Sequence, residues 1–181
     1  MVMNISTQLQ VISIILALSS GSVYTPTKSI TTDTLVSVDK TLSIVKKRDL
    51  TDVSIGGVKI GMTLQQVINK LGKPSKTTRI LDPCSGQDKI TLKYYKLVIN
   101  ILGNSVLEID NSNPLYQTGE KIQIGDSLSK AKKTYDKVLV IPSKYTEENR
   151  ELLYDNAAAG ILSFKSKNGR IISISIRTDD C

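Results

Sequence analysis

Residues 57–74 read GVKIGMTLQQVINKLGKP, and a related pattern returns at 120–138 as EKIQIGDSLSKAKKTYDKV. Ile60 aligns with Ile124, Gly61 with Gly125, Thr63 with Ser127 and Leu64 with Leu128. Self-similarity of this kind marks a duplicated supersecondary unit. In both stretches a short apolar run stops at glycine, and the hydroxyl residue that follows can cap a helix by accepting a backbone N–H bond. Thr63 and Gln66 have capping-box spacing, while Leu64, Val67, Ile68 and Leu71 fall on one helical face. Gly72 and Pro74 stop that helix. Ser127 opens the second, in which Leu128, Ala131, Tyr135 and Val138 form a weaker stripe. Lys130, Lys133 and Lys137 share another face, expected to be wet.

Each helix pattern is followed by strand patterns. Ile90, Leu92 and Tyr94 alternate, then Leu97, Ile99 and Ile101, and Gly103-Asn104 offers a turn before Val106 and Ile109. Later, Leu152 and Tyr154 lead to Ile161–Phe164, Asn168-Gly169 supplies the strongest hairpin signal, and Ile172, Ile174 and Ile176 alternate. The predicted fold is α+β: two tandem helix-plus-antiparallel-β-meander repeats, at 55–113 and 114–181, joined through NPLYQTG. Tyr94 and Tyr154 hold equivalent positions and are expected in the core.

Upstream, residues 1–22 have an apolar centre from Val11 to Leu18 followed by small residues, the shape of a secretory leader and too short for a membrane span. Residues 23–54 are rich in Thr, Ser, Lys and Asp and read as a polar linker. Within it, TLSIVKKRDL can dock as a short helix or strand. No cysteine follows the leader, so a lipid-anchored N-terminus is not indicated. Cys84 and Cys181, an even pair in an exported chain, suggest a structural disulfide, with two free thiols as the alternative.

Composition narrows the chemistry. The 181 residues contain no histidine, which removes the commonest general base and metal ligand. Net charge is +7, yet the lysines are interspersed with seventeen acidic residues, so no nucleic-acid partner is expected. In GGVKIGMT, Met62 stands where a phosphate loop needs lysine. Ser127-Leu128-Ser129-Lys130 matches S-x-x-K, but the cap reading already explains Ser127. Asp110-Asn111-Ser112-Asn113 lacks the glycine and distal glutamate of a calcium loop. Neither metal nor cofactor is expected.

The run GVKIGMTLQQVINKLGKP resembles the signature of the SmpA/OmlA, or BamE-like, family of bacterial envelope proteins. Paired modules of this kind are also similar in architecture to secreted β-lactamase inhibitor proteins, which present a concave sheet to a partner. The resemblance implies an exported location, periplasmic, envelope-bound or secreted, and protein binding without catalytic residues. The leading expectation is therefore a non-catalytic exported protein-binding module, scaffold-like or inhibitor-like, whose partner is another protein. Any membrane contact is expected to be peripheral. Tyr95, Tyr116 and Tyr145 are the candidate contact residues, since tyrosine supplies large area at low rotamer cost. The alternative is a secreted histidine-free hydrolase or its inactive relative, which would show a deep pocket with convergent polar groups and shifted pKa values.

Overall fold

In a computed structural model of the chain, residues 47–156 and 159–178 are described. The predicted leader, most of the predicted linker and Cys181 lie outside them.

Helix α1 (Leu64–Leu71) begins where the hydroxyl pattern placed it. Thr63 Oγ1 accepts from the Gln66 N–H, and the Gln66 side chain accepts from the Thr63 N–H, closing a capping box. Gly72, at φ 79°, ends it. Helix α2 (Leu128–Val138) is capped by Ser127, which accepts from the Lys130 N–H. Lys130 Nζ in turn bonds Asp126 at 2.9 Å, so the S-x-x-K residues are employed in a helix start.

The strands are β1 (Ser54–Ile55), β2 (Val58–Lys59), β3 (Lys76–Leu81), β4 (Asp88–Tyr94), β5 (Leu97–Leu102) and β6 (Ser105–Asn111). After α2 come β7 (Ser143–Thr146), β8 (Glu151–Asn156), β9 (Gly160–Lys167) and β10 (Arg170–Arg177). β1 and β2 form a small hairpin, pinned to the 112–119 loop by Gly56 N–H to Gln117 C=O and Gly119 N–H to Ser54 C=O. The other eight form one antiparallel sheet in the order β3-β4-β5-β6-β10-β9-β8-β7.

This sheet corrects the fold predicted from sequence. The described residues do not form two tandem helix-plus-meander repeats; they form mainly a single eight-stranded antiparallel sheet with two α-helices. The physical reason lies at β6 and β10, which pair through Ile174–Asn111 to Arg177–Glu108. Left apart, each would be an open edge with unpaired backbone groups and uncovered isoleucines. Paired, they bring Ile109, Ile174 and Ile176 to 1% exposure or less, and each fully buried isoleucine contributes about 1.5–3 kcal/mol.

Register shows how continuous the result is. Leu92, Ile99, Ile109, Ile176, Leu162 and Tyr154 stand opposite one another from β4 across to β8, and none is more than 1% exposed. This row belongs to the helix-covered face. There Tyr135 of α2 packs against Tyr154 and Phe164, with ring centroids 5.8 and 5.2 Å apart. Tyr154 donates to Asp136 at 2.8 Å, and Tyr94 donates to the Gly72 carbonyl at 2.9 Å, so each tyrosine ties a strand to a helix. Gly160, where β9 begins, is required: a Cβ there would meet the Arg177 carbonyl oxygen at 2.2 Å.

The end of the predicted linker is part of the folded body. Leu50 and Val53 are buried beside a 3-10 turn at Leu50–Asp52. The Arg48 N–H donates to the Val138 carbonyl, and its guanidinium pairs with Glu120, which also accepts from the Tyr135 hydroxyl at 2.9 Å. Among the described residues, no helix is long and apolar enough to cross a membrane.

Candidate functional site: the open face of the sheet

Strands present alternate residues to opposite faces, so the residues between the buried apolar positions form a second face, which carries no helix among the described residues. One cross-strand row on it runs through Lys76, Lys93, Val98, Asp110, Ser175, Ser163, Leu153 and Lys144, one residue from each strand. The neighbouring row carries Thr78, Thr91, Asn100, Glu108, Arg177 and Ile161. At ~4.8 Å per strand, seven spacings make the face roughly 34 Å wide.

Within these rows the polar groups are ordered by one another. Thr91 Oγ1 donates to Asn100 at 2.7 Å, and the Asn100 amide donates to Glu108 at 2.6 Å. The Ser163 and Ser175 hydroxyls bond each other at 2.8 Å. Over β6, β8, β9 and β10 the face opens into a recess of about 340 Å³. Glu108, Asp110 and Glu151 contribute its carboxylates, and Lys165 and Arg177 its cations.

Asp110 is the perturbed group of the recess. Burial, seconded by the nearby Glu108 charge, pushes its carboxyl above the ordinary aspartate range, while Lys165 and Arg177 pull the other way. The arrangement can accept hydrogen bonds, hold a cationic side chain and exchange a proton at Asp110. It has one feature expected of the hydrolase alternative, a shifted carboxyl beside Ser175. The hydroxyl of Ser175 is, however, engaged with that of Ser163, an arrangement that does not activate a nucleophile.

The tyrosines chosen from sequence do not line this recess. Tyr95 projects from the β4–β5 turn, 74% exposed, with the Lys96 ammonium 5.4 Å from its ring centre. Tyr116 is half-buried, its ring so close over Gly56 that a Cβ there would lie 2.9 Å away. Tyr145 lies on β7, beside Leu128 and Leu152 on the helix-covered side. The three do not form one patch, since Tyr95 and Tyr145 sit near opposite ends of the strand order. The calcium-like tetrad resolves into structural turns. Asn111 bonds the Tyr116 carbonyl and the Asn113 N–H, and Asn113 bonds the Tyr95 carbonyl and the Leu115 N–H. Cys84 sits in the β3–β4 loop and is not a free thiol.

Sequence reasoning missed Glu108, Asp110, Ser163, Lys165, Ser175 and Arg177 as a group. Their signal was present as the polar half of each strand's alternation, which read as ordinary solvated surface.

No family model and no curated protein matches the sequence. Among solved structures, the chain is similar to an extracellular protein containing a SCP domain from Bacillus anthracis str. Ames, at 11% identity and a TM-score of 0.44. That match covers 66% of this chain and 44% of the other, so the chain spans less than half of that protein. It is also similar to the uncharacterized protein yfeY from Escherichia coli, at 12% identity and a TM-score of 0.42, over 72% of this chain and 99% of that one. Both likenesses are too loose to carry an argument about function, and the chain is placed in no family by them.

Proposed function

We propose that this protein is a non-catalytic, exported protein-binding module of the cell envelope or exterior, and that the open face of its sheet receives another protein. The observation that carries the reading is a sheet face spanning all eight strands, without a helix on it among the described residues, and with a polar recess over β6, β8, β9 and β10. Rigid strands hold the Thr91–Asn100–Glu108 row and the Ser163–Ser175 pair in place, so little side-chain freedom is lost when a partner arrives. Glu108 and Asp110 beside Lys165 and Arg177 make the recess selective for a partner of matching charge pattern. The leader at 1–22 and the resemblance of Gly57–Pro74 to envelope modules support export, as does the even pair Cys84 and Cys181, proposed to bridge.

A photo-crosslinking residue at Ser175, compared with one at Ser129 on the exposed side of α2, tests the site in cells exporting the full chain. One reproducible adduct from Ser175, lost in Glu108→Lys and absent from Ser129, is expected. Equal labelling from both positions, or persistence in Glu108→Lys, would reject the face. The hydrolase alternative rests on Asp110 and Ser175. It predicts ester or amide turnover that disappears in Ser175→Ala, and such turnover would overturn the non-catalytic reading.

A further inference from the structure

Strand β3 has a different character from the rest of the sheet. It stands at the end of the strand order, and every one of its six residues is exposed. The Asp82 N–H donates to the Gln87 carbonyl at 2.8 Å, continuing the β3–β4 register by one pair. Antiparallel alternation then turns the backbone groups of Lys76, Thr78 and Ile80 toward β4 and those of Thr77, Arg79 and Leu81 outward. Nothing among the described residues receives the outward set.

Open edges are normally blunted by short length, charged side chains such as Lys76 and Arg79 of β3, proline, bulges or inward charges. The opposite edge, β7, has only four residues and follows Pro142. By contrast, β3 is six residues of KTTRIL without proline or glycine, and it leaves Ile80 and Leu81 60% and 68% exposed.

Charge selects the occupant. Register sets Lys76 directly opposite Lys93 on the same face, a like-charge pair that is unfavourable until an anion joins it. Neither lysine, nor Lys73 before the strand, makes a salt bridge among the described residues, and Arg79 is held by Asp88 at 3.1 Å. A second copy would bring the same Lys76 and Arg79 to the seam, in a chain already at net +7.

We infer that the outer edge of β3 is a strand-addition site for an extended acidic segment of another protein, with carboxylates on the face of Lys76 and apolar residues on the opposite face, beside Leu81. Main-chain bonds to Thr77, Arg79 and Leu81 would supply affinity, and the flanking lysines would supply selection. This edge is separate from the recess, so either site can fail without the other.

The test uses the exported chain and two capped octapeptides, one alternating valine with glutamate and one alternating valine with lysine. Amide exchange measured by NMR should show Thr77, Arg79 and Leu81 fast in the free protein and protected only by the glutamate peptide. Thr77→Pro removes one outward N–H and leaves the β3–β4 ladder intact, so binding should weaken about tenfold, the scale of one lost hydrogen bond. Lys76→Glu, an exposed change that leaves the backbone untouched, should reverse the peptide preference. Equal protection by both peptides, or none, overturns the inference. Protection of the β3 amides that rises with protein concentration without peptide also overturns it and assigns the edge to a second copy. Crosslinking from Ser175 should be unchanged in Thr77→Pro, which separates this result from the recess reading.

Discussion

The two faces of the eight-stranded sheet are made by the same strands and spend their residues differently. On the covered face, Leu92, Ile99, Ile109, Ile176, Leu162 and Tyr154 form an unbroken apolar row under the helices. One strand position away, Val98, Asp110, Ser175, Ser163 and Leu153 form a mixed row with no helix above it among the described residues. The first row is explained by stability alone. The second contains a carboxyl whose ionisation folding opposes, which stability does not explain.

The sharpest way to break this contrast is to empty the covered face at its aromatic centre. Phe164 is fully buried against Tyr135, and Phe164→Ala should lower unfolding free energy by about 3–5 kcal/mol in urea titration, from lost transfer energy plus a cavity. Its neighbour on the open face, Ser163→Ala, should cost no more than about 1 kcal/mol, the net value of one hydroxyl hydrogen bond. Similar losses at the two positions would mean that the faces do not differ in energetic role.

A smaller effect is expected from the tyrosine hydroxyls that tie strands to helices. Tyr154→Phe should cost about 1 kcal/mol by loss of the bond to Asp136, and Tyr94→Phe a similar amount by loss of the bond to Gly72. A cost confined to one of them in thermal unfolding would show that only one helix depends on its strand tyrosine.

The smallest effect has the opposite sign. The folded chain holds the Asp110 proton to higher pH than the unfolded chain does. Stability is therefore lost as pH rises from the ordinary aspartate range through the raised folded one. Asp110→Asn, which cannot ionise, should unfold a few degrees higher than the parent at pH 7, with the gap closing below the ordinary aspartate range. Destabilisation by Asp110→Asn at pH 7 would mean that the charge is structural.

Local features were legible because their causes are local. Thr63 and Ser127 cap helices through bonds spanning three residues, and Asn168-Gly169 turns a hairpin on its own φ preferences. Strands β4, β5, β6, β9 and β10 announced themselves by alternation, since one face of each is buried. Strand β3 did not, because an edge strand exposed on both faces has no alternation to display. The half-burial of Tyr116 was not legible for a related reason: it depends on Gly56, far away in sequence.

By itself, then, the sequence determined the helix starts, the hairpins, a chemistry without histidine, and most inward and outward residues of the central strands. In β10 a register shift between Ile171 and Ser173 buries Ile171 and exposes the Ile172 that alternation had placed with Ile174 and Ile176. Tertiary structure alone decided that β6 joins β10, that Arg48 closes on Glu120, and that Glu108, Asp110, Ser163 and Ser175 share a recess. Periodicity within a strand reports which way a side chain points. It carries no information about which strand lies beside it, and the open face is built entirely from that second kind of choice.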